Sequence, residues 1–269
     1  MKLQTISSSL WRSRQLIWEL TSRELKQRYR GTFLGGFWSV LNPLIMLAIY
    51  TFVFSYVFQA RWPTLKTGVS NWEFAFILFA GLIPFNLFSE ICNRAPALIV
   101  NSPSYVKKVI FPLEVLPLAA LFVAIITSLI NTLVLLIGSA VLLKTISPTL
   151  YQLVLVYPVM ILLNLTLGWL ISALGVYIRD IAQAIIFIVQ VMMFVSPVFY
   201  SPTIIPAKFQ GIYQINPLTF IITSFRQTIL WGENINWVQW GLWMIILLAT
   251  TIISYKWFMR AKRGFADVM

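Results

Sequence analysis

The stretch RELKQRYRGTFLGGFWSVLNPL, Arg23 to Leu44, decides the fold, because a basic lead-in runs directly into an apolar segment. Residues 33–58 form a run of 26 without a formal charge. At about 1.5 Å per helical residue, such a run exceeds the roughly 30 Å hydrocarbon core of a bilayer. The stretch therefore predicts a membrane-spanning helix that begins beside a cationic interface.

The composition of the whole chain also indicates a membrane protein. Apolar residues make up 59% of the 269 residues, charged residues make up 10%, and the mean hydropathy is +0.83. These values exclude a large water-soluble core. The chain has no His and a single Cys, Cys92, inside an apolar span. We therefore predict no metal site, and Cys92 is expected to be a small packing residue.

Six apolar segments are long enough to cross a membrane, and we predict an all-α integral membrane protein with six transmembrane helices. Residues 1–32 would form a cytoplasmic amino-terminal segment, and residues 33–269 one six-span domain. An even number of spans places both termini on one side. The predicted spans are 33–58, 74–100, 115–143, 151–178, 181–200 and 237–257.

The distribution of basic residues assigns the side of the termini to the cytoplasm. Fourteen of the twenty Lys and Arg residues lie in segments on that side, and five lie on the other, among them Arg226. This asymmetry is the positive-inside pattern of membrane proteins. Anionic membrane lipid accounts for the net charge of +12, and we predict no nucleic-acid partner.

Residues 10–29 are predicted to form a helix that lies in the membrane interface. On a helical wheel, a narrow aromatic and apolar arc adjoins a basic arc. Leu16 and Leu20 point away from both arcs and require a protein neighbour. A solvated charged face is the alternative interpretation. The first arc holds Trp11, Trp18, Leu25 and Tyr29, and the second holds Arg12, Arg23, Lys26 and Arg30.

Prolines interrupt the apolar region between the fifth and the last predicted span. Four prolines between positions 197 and 217 exclude one continuous helix there. The regular piece 217–231 has 15 residues, fewer than the ~20 that a span needs. We predict that residues 201–236 form a re-entrant helical hairpin, buried in protein or lining a water-filled cavity. A surface loop resting on the membrane is the alternative.

Two cytoplasmic connections are distinctive. Residues 101–117, NSPSYVKKVIFPLEVLP, place a basic stretch between prolines that stop helices. We predict a short helix over about 101–114, with an ordinary loop as the alternative. The connection between the fourth and fifth spans is barely four residues around Arg179 and Asp180, whose adjacency suggests a local charge pair at the membrane edge.

Glu90 and Arg94 are the ionisable residues that the predicted spans place at membrane depth. Such groups are costly there and mark functional sites by default. They lie four residues apart with the acid first, which is the favourable order for a helical ion pair. Mutual neutralisation is therefore the simpler interpretation. No chain of acidic residues crosses the membrane, which argues against a proton-coupled transporter.

Motifs for catalysis are missing from the sequence. The eight acidic residues are scattered and suggest no general acid–base pair, and no G-x-x-x-x-G-K-[ST] phosphate loop occurs. We predict no catalytic residue and no cofactor bound by this chain. A membrane-embedded glycosyl or acyl transferase is the enzyme alternative. The energy for active transport would have to come from another polypeptide.

Five stretches carry a family resemblance when they are taken together and in order. The opening stretch is followed by NSPSYVKKVIFPLEVLPLAA (101–120), YIRDIAQAI (177–185), SPVFYSPTIIP (196–206) and INPLTFIITSFRQTIL (215–230). The chain resembles the permease subunit of type-2 ATP-binding-cassette exporters, in the branch that moves lipid-linked polysaccharides such as O antigen, capsule and teichoic acid.

The resemblance implies partners and a division of labour. It implies a homodimer that carries two copies of a nucleotide-binding ATPase subunit, on which ATP and Mg would lie. It also implies an interface helix, a coupling helix in the first cytoplasmic loop, and re-entrant helices that form an outer gate. The residues that would dock the ATPase subunit are Tyr105, Val106, Lys107, Lys108, Phe111 and Pro112, with Arg179 and Asp180 as a secondary contact.

The resemblance also suggests where a substrate would lie. Lys26, Arg28 and Arg30 suit the diphosphate of a polyprenyl carrier, and anchoring to phospholipid is the equal alternative. Aromatic side chains suit the apolar faces of sugar rings, although helical aromatics more often simply pack. The candidates for the glycan path or gate are Phe33, Phe37, Trp38, Phe199, Tyr200 and Tyr213.

The predicted function is export of an undecaprenyl-diphosphate-linked polysaccharide across a bacterial inner (plasma) membrane, with both termini cytoplasmic. The passage would be shared with a second copy of the chain and driven by ATP hydrolysis on the partner subunits. An exporter of a smaller amphiphile, such as a drug or lipid, is the alternative within the same fold. An ion-coupled transporter or channel is the alternative from another class.

Reversal of the charge at Lys107 and Lys108 tests the docking loop. The double substitution K107E/K108E is expected to leave membrane insertion intact and to weaken copurification of the ATPase subunit, because the Lys residues would meet acidic groups on that partner. Pull-down from solubilised membranes measures the pairing. Undiminished pairing and export would remove this loop from the mechanism.

Overall fold

The computed structural model describes residues 11–28, 30–31, 33, 35–53, 71–106, 111–144 and 146–269. Helices and turns make up this part of the chain, and no β-strand occurs in it. The α-helices are α1 (Arg14–Arg28), α2 (Trp38–Tyr50), α3 (Asn71–Val100), α4 (Pro103–Val106), α5 (Val115–Gly138), α6 (Leu153–Tyr177), α7 (Ile181–Val195), α8 (Ala207–Ile215), α9 (Pro217–Arg226), α10 (Trp237–Ala261) and α11 (Phe265–Val268).

Five helical segments of the described residues are long and apolar enough to span a membrane. A helix satisfies its backbone polar groups internally, and lipid requires this of any spanning segment. The segments contain α2, α3, α5, α6 and α10. Short helical turns extend four of them, and the segment that contains α3 begins two residues after the start of that helix. Their limits are Gly35–Val53, Glu73–Val100, Val115–Leu143, Leu150–Tyr177 and Trp237–Val268.

The predicted continuous helix over 181–200 is wrong in its length. Helix α7 has 15 residues and ends at Val195, because Ser196 precedes Pro197 and adopts extended backbone with φ −96° and ψ 146°. A 15-residue helix covers about 22 Å, less than the roughly 30 Å hydrocarbon core. The chain beyond α7 is irregular until the short 3-10 turn at Pro202–Ile204.

Helix α3 forms the centre of the bundle. It packs against α5, α6 and α9. Of its most apolar stretch, 83% is buried inside the protein, whereas only 11% is buried for the segment around α2. Contact with α6 is backbone to backbone, because a Cβ at Gly175 would overlap the main chain of Pro96. Cys92 is buried in this core at 3% exposure, in agreement with its predicted packing role.

Helix α1 packs along α5. Ile17, Leu20 and Thr21 are buried in this contact, so Leu20 has the protein neighbour that its wheel position required. Trp11 and Trp18 are 69% and 66% exposed, on the side of α1 away from the bundle. That arc is free to meet a membrane interface, and the interfacial location of α1 stays a prediction.

Helices α8 and α9 form a pair joined at Asn216. The Asn216 side-chain oxygen accepts a hydrogen bond from Leu218 N at 3.0 Å and caps α9, while its amide nitrogen donates to Ser196 Oγ at 3.0 Å. Helix α9 continues through a π-helical turn at Gln227–Trp231, so the predicted piece 217–231 has the predicted ends. Most of α9 is buried, whereas α8 has no buried residue. The entry of this pair into the membrane stays a prediction.

The exposure of α8 allows the predicted topology to be tested. Gln214→Cys is expected to react with a membrane-impermeant maleimide added to the outside of spheroplasts, because Gln214 is exposed and lies in the predicted outer hairpin. Ser104→Cys, exposed in α4, is the matched cytoplasmic control and should react after the membrane is opened. The native Cys92 is buried and gives a silent background. Labelling of Gln214→Cys from the cytoplasm alone would reverse the assigned sides.

Candidate functional site

Arg226 is buried without exposed surface in the outer half of the bundle, as the topology above assigns it. Its guanidinium donates from Nε to the Ile77 carbonyl at 2.9 Å, from Nη1 to the Pro197 carbonyl at 2.6 Å and from Nη2 to the Val198 carbonyl at 2.5 Å. These carbonyls belong to α3 and to the irregular chain after α7. One side chain of α9 therefore joins three parts of the fold.

The irregular chain after α7 explains why a guanidinium is needed. Helix α7 stops before Pro197, so the following carbonyls have no helical N–H donor and would cost free energy in a buried position. The planar fork of Arg226 supplies several fixed donors. The guanidinium fits beside α3 because Gly81 has no side chain, and a Cβ at this position would overlap it. Arg226 and Gly81 thus form a matched pair.

Arg226 was counted from the sequence among the cations of an outer segment, and the burial of its side chain inside the protein was not predicted. The signal was present in FIITSFRQTIL, since Arg226 follows Ile222 by one helical turn and lies on the same face as Leu218. A wheel drawn for residues 217–231 would have placed it among buried residues.

Four charged side chains link α1 to α3. Glu90 Oε1 lies 3.2 Å from Arg94 Nη1 within α3, as the i, i+4 spacing predicted. Arg28 of α1 also forms an ion pair with Glu90, and Glu24 of α1 forms one with Arg94. Arg28 further donates to Thr127 Oγ1 of α5 at 3.0 Å. The order Arg28, Glu90, Arg94, Glu24 alternates in sign, and we call it the charge quartet.

The charge quartet changes the interpretation of the basic residues at the end of α1. Arg28 is engaged with Glu90 and Thr127, so its charge is already compensated within the protein. Lys26 and Arg30 are exposed. Of the three cations predicted to face a lipid headgroup, these two are placed so that they can meet an external anion.

A cavity of about 600 Å³ opens beside the charge quartet. Its walls come from one face each of α2, α3 and α5, and Arg28 and Glu90 lie at one end. Trp38 is part of its wall, whereas Phe33 and Phe37 are exposed elsewhere. The lining residues are Arg28, Trp38, Ser39, Asn42, Pro43, Met46, Tyr50, Phe79, Leu82, Asn86, Glu90, Thr127 and Asn131.

The aromatic residues predicted near the outer gate fall into two groups. The hydroxyls of Tyr200 and Tyr213 lie 2.8 Å apart, and Tyr200 donates to the Phe194 carbonyl at 2.5 Å. Both rings line a cavity of about 390 Å³ between α7 and α8. Phe199 instead packs edge-on against Tyr50, with ring centroids 6.5 Å apart. Tyr200 and Tyr213 therefore fasten α8 to the end of α7, and Phe199 contacts the first span.

The segment predicted to dock an ATPase is built on an apolar cluster at the end of the bundle that the predicted topology assigns to the cytoplasm, and we call it the inner cluster. The rings of Tyr105 and Phe111 stack at 4.3 Å and 12°, and they pack with Val106 against this cluster. Lys107 and Lys108 lie outside the described residues. Buried members of the inner cluster include Ile17, Leu20, Ile99, Val115, Trp169, Phe258 and Phe265.

The helix in this segment is shorter than the predicted span of about 101–114. Helix α4 covers Pro103–Val106, and residues 107–110 lie outside the described part. Phe111 and Pro112 are half-buried and lead into a turn at Leu113. A continuous helix therefore does not reach residue 114. Pro112 and the turn after it are incompatible with a helix through the last predicted residues.

Polar contacts fix the inner cluster at its rim. Glu114, with a side chain 5% exposed, forms an ion pair with Lys262 at 2.8 Å, and its carbonyl accepts a hydrogen bond from Trp169 Nε1 at 3.1 Å. Arg179 and Asp180, the predicted secondary docking contact, are both exposed. They do not pair with each other among the ion pairs of the described residues, so the suggested charge pair is wrong. Both side chains face outward.

Arg226→Met is expected to destabilise the folded protein strongly. The substitution removes the donors to three carbonyls, and a buried polar group left unpaired costs roughly 1–3 kcal/mol. Arg226→Lys should also destabilise it, since an ammonium cannot reproduce the fork. The midpoint of thermal unfolding in detergent measures the loss. Lys208→Met, an exposed cation on α8, is the control and should leave the midpoint unchanged. A midpoint equal to that of the parent protein for Arg226→Met would contradict the assigned role.

Comparison with known proteins adds a family and relatives to this geometry. Residues 15–230 match the family model described as ABC-2 type transporter. An O-antigen export system permease protein RfbA from Klebsiella pneumoniae is 25% identical over 253 residues, covering 93% of each chain. Another RfbA, from Myxococcus xanthus, is 30% identical over 81% of each chain. The polysialic acid transport protein KpsM of Escherichia coli is 24% identical over 86% of this chain and 88% of its own.

Proposed function

Since this chain belongs to the ABC-2 type transporter family, we propose that it is the permease subunit of an ATP-driven exporter of lipid-linked polysaccharide. The observation that carries the proposal is similarity over 93% of the chain to a permease named for O-antigen export. A second relative is named for transport of polysialic acid, another polysaccharide. The membrane would be the bacterial inner membrane, with both termini in the cytoplasm.

A homodimer is part of the proposal because the surface of the first span is largely uncovered. Only 11% of its most apolar stretch is buried inside the protein, and Leu44, Ile45 and Ile49 are all more than 40% exposed. Phe187 and Phe194 of α7 are also exposed. A second copy of the chain could cover these faces and close a passage between the subunits. In this arrangement α7 and the chain after it form the fifth of six crossings, and α8 with α9 forms the outer gate.

Two copies of an ATPase subunit would supply the energy. The sequence contains no phosphate loop, so ATP and Mg would bind to those subunits and no cofactor to this chain. Movement of the docking segment would reach the bundle through Tyr105 and Phe111, because their stacked rings rest on the inner cluster. Helix α1 contributes Ile17 and Leu20 to the same cluster. A displacement at the docking segment would therefore also act on α1.

The carrier lipid is proposed to be undecaprenyl diphosphate, held by exposed cations. Lys26 and Arg30 are exposed near the start of the first span, where cations favour an anionic headgroup. Arg28 contributes less to this contact, since Glu90 already compensates it.

Genetic removal of the chain tests the proposed function. Deletion is expected to abolish surface polysaccharide and to leave lipid-linked glycan inside the cell, because the passage would be missing. Surface immunoblotting and extraction of carrier-linked glycan measure the two pools. The wild-type chain should restore export only together with an ATPase subunit able to hydrolyse ATP.

Two results would contradict this proposal. Unchanged surface polysaccharide after deletion would reject a role in its export, and a smaller exported amphiphile would then be sought. Uphill accumulation of a solute by vesicles that contain this chain alone would reject the dependence on a separate ATPase.

A further inference from the structure

We infer that the cavity beside the charge quartet is a binding site for a neutral, hydroxyl-rich sugar ring of the exported glycan. This inference rests on the proposed function and adds to it a site and a chemical preference. Its volume of about 600 Å³ lies within the roughly 300–1,000 Å³ typical of ligand pockets.

The spacing of the lining residues makes the cavity a built feature. Asn42 and Met46 lie one turn apart on α2, Asn86 and Glu90 one turn apart on α3, and Thr127 lies one turn from Asn131 on α5. Each helix therefore turns one face toward the same space. Each of the three faces carries an Asn side chain among its lining residues.

Side-chain amides in the cavity lack partners. Asn131 is 8% exposed, and its Oδ1 has no hydrogen-bond partner among the described residues. The structure gives the Asn42 and Asn86 side chains no hydrogen bond within the described part of the chain either. Asn86 is exposed although every other residue between Phe74 and Phe88 is buried. Asn42 and Asn86 are exposed to the space of the cavity, whereas Asn131 is buried. Buried polar groups normally find partners, so the unpaired Asn131 points to an occupant that forms hydrogen bonds.

The charge of the cavity favours a neutral occupant. Arg28 and Glu90, the two charged residues of its wall, form an ion pair with each other. A phosphate would gain little from a compensated Arg28 and would meet the Glu90 carboxylate. A hydroxyl both donates and accepts, and an Asn amide offers one group of each kind. Sugar hydroxyls therefore match the free amides better than a diphosphate does.

Aromatic rings complete the match with a sugar. Trp38, Tyr50 and Phe79 belong to the wall of the cavity. Aromatic faces provide apolar surface for the C–H face of a pyranose ring, while the hydroxyls at its edge reach polar partners. Amides and aromatics in one cavity supply both kinds of contact. The occupant is thus a segment of the glycan itself, and the carrier diphosphate would bind elsewhere, near Lys26 and Arg30.

The double substitution N86A/N131A tests the site in cells that contain the complete exporter. The rate of appearance of surface polysaccharide is expected to fall roughly tenfold, since each lost hydrogen bond weakens binding. Asn93→Ala is the matched control, because Asn93 is an amide on the same helix, bonded to Ser89 outside the cavity. Asn86→Gln keeps an amide and should retain most of the activity. Wild-type rates in N86A/N131A at equal protein levels would overturn the inference.

Cysteine protection gives a second readout that does not depend on export. With Cys92 replaced by Ala, Asn86→Cys should react with a maleimide severalfold more slowly in membranes from a strain that makes the polysaccharide than in membranes from a strain that cannot make it. Asn93→Cys should react equally in both. Equal reaction of Asn86→Cys would show a cavity filled by water alone and would overturn the site while leaving export intact. Unchanged polysaccharide in the deletion strain would instead overturn the proposed function and the site with it.

Discussion

A carbonyl buried inside a protein needs a hydrogen-bond donor, and the part of the bundle around Arg226 depends on how this side chain meets that constraint. The chain after α7 leaves the helical path at Pro197, which would be excluded at membrane depth without internal donors. Arg226 supplies them from α9, and Gly81 in α3 leaves the space for its guanidinium. The short helix α7 and the buried α9 are held together by this one side chain. The arrangement also relates the pair of α8 and α9 directly to the central helix.

Two different interactions hold α1 to the bundle. Apolar residues of α1 join the inner cluster, where the stacked Tyr105 and Phe111 also pack. The charge quartet then connects the far end of α1 to α3 and, through Arg28, to Thr127 of α5. The cavity begins where the quartet ends. The surface proposed to receive a push and the space proposed to hold a sugar are therefore joined through a single helix.

Much of this architecture could be predicted from the sequence, because long apolar segments have few structural solutions in a membrane. Five of the predicted spans correspond to segments found in the structure, and the piece 217–231 has the predicted ends, with Pro217 at its start and Gly232, at φ +67°, directly after it. The pairing of Glu90 with Arg94 followed from their i, i+4 spacing, whereas Glu24 and Arg28 could not be added, because their contacts depend on where α1 lies against the bundle. The burial of Arg226 was not predicted, because a charge count treats any cation outside a span as solvent-exposed. The cavity could not be foreseen, since its lining comes from helices distant in sequence.

The charge quartet contains two guanidinium groups and two carboxylates. Membrane voltage acts on net charge, and one elementary charge carried across 100 mV corresponds to about 2.3 kcal/mol. A unit whose charges sum to zero experiences almost no such force when it shifts as a whole. The energised state of the cell membrane would therefore exert almost no force on this link between α1 and α3, and its position would be left to chemical signals from its partners.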